Sequence, residues 1–234
     1  MTTSSNQFPE QVIISSRSLD EYRAQFSLTD DDLRRKILDC PGGAAELTAV
    51  VSNRGGDATA CDVAYFGDGL QRLAENVATQ SDVGTDYIRS HQDLYEWTLF
   101  ADPDSVQRVR HQAGAQFAAH SREHPERYIA GKLPDLPFAD NSFDLVLSST
   151  LLFCYAHDFD YDFHVAAITE LMRVTRDELR IYPLVPVGTT TLYPQMDRLL
   201  ADLTTRDIAG QIVDVDFRFQ RGAHHMLVCR PTRS

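Results

Sequence analysis

Apolar positions along this chain fall into short continuous runs separated by stretches in which they recur three and four apart, so strands should alternate with helices. Residues 18–26 predict an N-terminal helix with Ser18 as its cap, and residues 29–32 open a short second one. Ile37 and Leu38 form a short buried strand ended by Pro41, residues 44–51 have helical spacing, and residues 58–63 give the second strand. Residues 69–79, 85–98 and 104–120 predict three helices, broken near Gly84 and Pro103. A third strand at 128–133, a fourth at 143–148, a helix at 163–174, a fifth strand at 179–185 and a helix at 192–203 follow. Residues 211–218 and 224–229, around Gly222, predict a closing hairpin.

The paired glycines after the first strand add chemistry to this pattern. Gly42 and Gly43 let the backbone turn tightly beside a ligand, and a helix starting at Ala44 would aim free N–H groups at it. Asp62 closes the next apolar run about 20 residues on, where a carboxylate accepts both hydroxyls of a ribose. A βα turn without a ligand would share the glycine pair; the acid at that distance favours a nucleoside cofactor.

Composition narrows the reading. The 234 residues are 43% hydrophobic, enough for one domain with elaborations: an N-terminal helical cap at 1–35 and a helical insertion or lid at 67–127. The crossover from second to third strand needs one helix, so two of the three predicted there are extra. No apolar run approaches the roughly 20 residues that span a bilayer, and residues 1–6 lack a leader pattern, so a soluble, cytoplasmic protein is expected. Cys40, Cys61, Cys154 and Cys229 are scattered in or beside apolar runs, which predicts buried thiols and no metal site. A net charge of −12 argues against nucleic acid or an anionic membrane as partner.

Three motifs then carry a resemblance. The chain resembles class I S-adenosylmethionine-dependent methyltransferases over residues 37–230, through the glycine turn with Asp62, through Leu133-Pro-Asp-Leu-Pro-Phe-Ala-Asp-Asn-Ser-Phe-Asp-Leu-Val-Leu147, and through Glu170-Leu-Met-Arg-Val174. The spacer and the tail at 217–228 are similar to a methyltransferase-like bacterial branch of unknown substrate. The resemblance implies an α/β, Rossmann-like, doubly wound sheet of seven strands, the last antiparallel, with helices on both faces and extra helices between strands 2 and 3. It implies S-adenosylmethionine as cofactor.

By that resemblance Asp39, Cys40, Pro41, Gly42 and Gly43 line the methionine end of the cofactor, Asp62 takes the ribose and Val63 lies against the adenine. Pro41 and Ala45 stand at two family glycine positions. Lys132 replaces an aspartate that accepts the adenine amino group, a bond lysine cannot accept, so the backbone of Lys132 and Leu133 reads the adenine edge or the ligand differs. Ser148 is expected to face the crevice at the strand ends. Thr175 to Glu178 replaces the family's turn before the fifth strand and reads as a loop change.

Other groupings have plainer readings. Tyr128 and Lys132 have the spacing of a dehydrogenase pair but lie on a strand, too far apart to act together. His157, Asp158, Asp160, Asp162 and His164 lack metal-ligand spacing, and Asp160 or Asp162 suits a helix N-cap. Tyr155 and His157 follow the fourth strand, near any substrate, and are the candidate catalytic residues, His157 as the base. His224 and His225 alternate across the closing strand and read as structural. Tyr22 and Arg23 are candidates to cover the cofactor; Tyr87, His91, Tyr95 and Trp97 are candidate wall residues.

The expected activity is methyl transfer to an oxygen, nitrogen or carbon of a small molecule by direct in-line displacement. The alternative from another class is a non-catalytic nucleoside-binding sensor or scaffold, motivated by Pro41, Ala45 and Lys132. Neither reading fixes an oligomeric state.

Overall fold

The computed structural model describes residues 13–232. The reading of residues 1–6 lies outside that range.

Seven strands form one sheet in the order β3-β2-β1-β4-β5-β7-β6. They are β1 (Lys36–Asp39), β2 (Asp57–Asp62), β3 (Tyr128–Ala130), β4 (Phe143–Ser149), β5 (Thr175–Tyr182), β6 (Ile208–Asp214) and β7 (His225–Pro231). β1 to β5 pair in parallel, and β7 runs antiparallel to both β5 and β6. The last strand is therefore the reversed one, as the resemblance implies.

Both faces of the sheet are apolar, which is why its strands read as continuous runs. Ile37, Leu145, Leu147 and Val228 pack on one face beside α1 (Leu19–Phe26) and α2 (Leu47–Asn53). Leu38, Val146, Leu227 and Cys229 pack on the other beside α5 (Tyr161–Val174) and α6 (Met196–Thr204). The two remaining helices, α3 (Gly69–Ser90) and α4 (Pro103–Glu123), lie along each other and bury Leu73, Val77 and Phe117 against Ala60, Tyr65 and Tyr128. β1 sits between β2 and β4, so the crossovers diverge there and a crevice opens at the carboxyl ends of β1 and β4.

Local caps explain the element starts. Ser18 Oγ accepts from the Glu21 N–H at 3.2 Å while Glu21 returns a bond to the Ser18 N–H at 3.1 Å, a reciprocal cap on α1. Asp160, one of the two acids suited to cap α5, does so, accepting from the Phe163 N–H at 2.8 Å.

Several boundaries differ from those expected. Gly84 does not break a helix: α3 runs through it, and a Cβ there would lie 3.4 Å from Ile13 Cγ2, so the glycine leaves room for another segment. Two long helices replace three, and residues 91–102 return through a 3-10 turn at Gln92–Leu94 and irregular chain whose Tyr95 bridges Gln220. The turn after β1 does not run straight into a helix. α2 starts at Leu47, three residues later than the apolar spacing placed it, because residues 43–46 form an intervening turn. Thr175 to Glu178 is the first half of β5, not a loop: Phe143 pairs with Thr175, and Arg176 and Glu178 form ion pairs with Asp144, Arg180 and Arg230 that a single segment cannot reveal. The residues 29–32 helix is instead a 3-10 turn at Asp32–Arg34. The closing hairpin pairs as predicted, but residues 215–224 form a long connection that buries Phe217 and Phe219.

Candidate functional site

The glycine turn is stitched to both neighbouring strands. Cys40 N–H donates to Leu147 O at 2.9 Å and Gly42 N–H to Cys61 O at 2.9 Å, which holds residues 40–43 over the carboxyl ends of β1, β2 and β4. Gly43 takes φ +51°, the left-handed region that favours glycine. Gly42 is demanded by space: a Cβ there would sit 2.7 Å from Ala60 Cβ and 3.0 Å from the Tyr65 hydroxyl.

Asp62 closes the turn. Its carboxylate accepts from Gly43 N–H and Ala64 N–H, both at 2.8 Å. Burial pushes its pKa up, opposed by those backbone bonds. A carboxylate has about four acceptor positions, so two remain for a diol.

A cavity of about 260 Å³ opens above this turn, lined by Cys40, Pro41, Gly42, Gly43, Asp62, Val63 and Leu133. Those seven predicted residues come together. Three others do not line it. Asp39 lies behind Tyr22, whose hydroxyl donates to both of its oxygens at 3.0 and 2.9 Å; burial holds this carboxyl well above the usual carboxylate range. Lys132 lies beyond the end of β3 and lines a neighbouring groove with Phe66 and Phe163; its carbonyl accepts from the Asp135 N–H at 2.9 Å. Ser148 is buried, with no hydrogen-bond partner for Oγ, and the next two residues, Ser149 and Thr150, line the cavity instead. A strand alternates its side chains, so a one-residue misjudgement of the strand end turns the wrong one outward.

The far wall comes from residues 13–17, which sequence reading missed. Ile13 N–H donates to the Tyr155 hydroxyl at 3.0 Å, Ser81 Oγ to Ser16 Oγ at 3.0 Å, and the Glu46 N–H to Arg17 O at 3.0 Å. This segment is held by α3, by the turn before α2 and by the loop after β4. It has no periodicity, and the one local signal was Ser18 ending it as a helix cap. Among the described residues Arg17 is the cation on the wall of this cavity, and its Nε is buried with no hydrogen-bond partner.

A second cavity of about 160 Å³ adjoins the first, and Ile13, Ser15, Arg17 and Thr150 line both. Thr150, at their junction, holds φ +56°, costly for a β-branched residue by about 1–3 kcal/mol, and is fixed by its N–H bond to Tyr182 O at 2.7 Å. Tyr87, Tyr95 and Tyr155 of the candidate residues line this second cavity. Burial raises the Tyr95 hydroxyl to about 12 and also raises that of Tyr155.

His157 is exposed and lines neither cavity, so the structure does not bring the expected base to the site. His91 is exposed and stacks on Tyr87; Trp97 packs edge-on against Phe219 without reaching the cavity wall. Tyr22 lines the larger cavity, whereas Arg23 pairs with Asp30 on the surface. Tyr128 bonds His120, and His224 and His225 face Glu96 and Asp214. Among the described residues no cluster of histidine, cysteine and carboxylates could hold a metal ion, and no helix is long and apolar enough to cross a membrane. All four cysteines are buried.

Residues 100–181, about a third of the chain, match the family model of the methyltransferase domain, which takes in α4, β3, β4, α5 and most of β5. Over 227 residues the chain is 25% identical to the uncharacterized protein MJ0045 of Methanocaldococcus jannaschii, covering 94% of this chain and 97% of that one. Among solved structures, it is similar to the 1,6-didemethyltoxoflavin-N1-methyltransferase of Burkholderia thailandensis (16% identity, 85% of this chain and 72% of that chain, TM-score 0.46). It is also similar to a SAM-dependent methyltransferase from Aquifex aeolicus (12%, 91% and 86%, TM-score 0.41). The domain match over residues 100–181 and a seven-strand sheet whose last strand alone is reversed both support the fold of a class I S-adenosylmethionine-dependent methyltransferase.

Proposed function

We propose that the larger cavity holds S-adenosylmethionine, that the second holds a small acceptor, and that the methyl group crosses where they meet. The observation that carries this is the shared lining of the two cavities by Ile13, Ser15, Arg17 and Thr150, with Asp62 on the cofactor side only.

The residues present fit the cofactor. The two unused acceptor positions of Asp62 suit the ribose hydroxyls, and Val63 and Leu133 offer apolar walls for the adenine. The turn at Gly42 and Gly43 lines the cavity where the methionyl end would lie, and the guanidinium of Arg17 on the facing wall suits its carboxylate. Bound S-adenosylmethionine supplies a methyl group already activated by the sulfonium.

The chain's own residues then orient and exclude water. Tyr155 pins residue 13 as a partition wall, Thr150 holds the junction, and α3, α4 and residues 91–102 act as the lid-like insertion that walls the acceptor. Among the described residues, those lining the second cavity include no histidine or carboxylate, which suits an acceptor that attacks with its own lone pair, in line with the leaving sulfur.

Calorimetric titration with S-adenosylmethionine and S-adenosylhomocysteine, repeated on Asp62→Ala, tests the reading. Micromolar binding that the variant loses is expected. A folded wild-type protein that binds neither would overturn it.

A further inference from the structure

The second cavity is specialised in shape and charge. At about 160 Å³ it is smaller than the roughly 300 Å³ and upward that drug-sized ligands fill, so its occupant is small. Tyr87, Tyr95, Tyr182, Phe217 and Phe219 line it. These rings brace one another: Tyr95 and Phe219 lie 4.8 Å apart, and Tyr182 meets Phe217 edge-on at 5.7 Å. Such walls take a flat ring through offset and edge contacts.

Arg110, from α4, reaches the same cavity although it is only 5% exposed. Its Nη2 meets Glu21 at 3.3 Å, its guanidinium carbon lies 5.9 Å from the Phe219 ring centre, and its Nε is buried with no hydrogen-bond partner. Glu21 also accepts from the Ser18 N–H, so it has a second obligation. A buried donor without an acceptor calls for one from a ligand. Arg17 faces the cofactor side in the reading above, so Arg110, which Glu21 engages through Nη2 alone, is the guanidinium left to meet an acceptor. A planar carboxylate matches the flat edge of a guanidinium.

We infer that the methyl acceptor is a small aromatic molecule bearing one carboxylate, its ring among Tyr87, Tyr95 and Phe219 and its carboxylate at the guanidinium of Arg110. This rests on the methyl-transfer reading above, and it names the substrate class of that site.

The test is a titration of the full-length protein, saturated with S-adenosylhomocysteine, with benzoate, benzamide, cyclohexanecarboxylate and phenyl phosphate. Benzoate binds about tenfold or more tightly than benzamide, the gain expected of a charge-assisted bond, and more tightly than the other two. In the paired variant Glu21→Gln, Arg110→Gln, which removes both charges and keeps a capping residue at the helix start, the preference for benzoate over benzamide falls to within about threefold. Arg110→Lys, which keeps the charge and loses the fork, weakens benzoate several-fold and supplies the result if the paired variant does not fold. Equal binding of benzamide, a preference for the phosphate or the saturated ring, no benzoate binding, or a preference that survives these substitutions would each overturn the inference. Absence of S-adenosylhomocysteine binding in the same titration would instead count against the cofactor site.

Discussion

Gly42→Ala is a one-carbon change whose cost can be worked from contacts. The added Cβ would lie 2.7 Å from Ala60 Cβ, 3.0 Å from the Tyr65 hydroxyl and 3.3 Å from Ala60 Cα, against roughly 3.5–4.0 Å for carbon atoms in ordinary contact. Neither neighbour yields easily: Ala60 is in β2, paired to β1 and β3, and the Tyr65 hydroxyl is tied to Gly43 O at 2.6 Å. Overpacking of this kind costs about 1–3 kcal/mol. At about 2–4 °C per kcal/mol for a chain of this size, Tm should fall by roughly 2–12 °C. The displaced turn should also weaken S-adenosylhomocysteine binding, because Gly43 and Asp62 share a hydrogen bond. The companion change Ala60→Gly removes the nearest carbon and on its own costs roughly 0.5–1 kcal/mol as a glycine within a strand. The two together should therefore be more stable than the sum of the single effects, by about 1 kcal/mol or more. Urea denaturation of all four proteins, with binding measured in parallel, reads both quantities. A Gly42→Ala protein as stable as wild type, or strictly additive effects in the pair, would refute the argument that space dictates this glycine.

Other outcomes follow from buried polar groups. Tyr22→Phe removes the donor to the buried Asp39 carboxyl and should cost about 1–3 kcal/mol, read as a lower urea midpoint. Because burial raises the pKa of Asp39, the native state holds that proton to higher pH than the unfolded chain does; the contribution is present below the ordinary carboxylate range and lost as pH rises through the raised value. Asp39→Asn should therefore gain on wild type as pH rises above about 4 and show no gain below it, and urea midpoints across pH that trend the other way would sink this assignment. Arg173 joins Glu170, Asp140 and the carbonyls of Phe138 and Leu136, tying α5 to the spacer before β4, so Arg173→Ala should destabilise by about 1–3 kcal/mol. A change within about 0.5 kcal/mol would assign that network no net weight.

What the sequence determined by itself was the local and the periodic. Apolar runs marked all seven strands, Ser18 marked the start of α1, and the spacing from Gly42 and Gly43 to Asp62 marked a turn and an acid that do face one cavity. These are short-range consequences of backbone sterics, capping and side-chain alternation, and a reader of the chain has the terms in hand. The tertiary structure alone decided the rest. Whether Gly84 breaks a helix depends on Ile13, more than 70 positions away, packing over it. Whether Thr175 to Glu178 is a loop depends on Phe143 and Asp144 across the sheet. Arg17, Thr150 and Arg110 carry no motif, and they come to line adjoining cavities because the aperiodic segment at 13–17, the end of β4 and one face of α4 converge on the crevice beside β1. His157 failed for the same reason: nearness in sequence to the end of β4 does not fix which side of a loop turns to solvent. A side chain's partners are set by burial between distant segments, and that free energy belongs to the assembled fold.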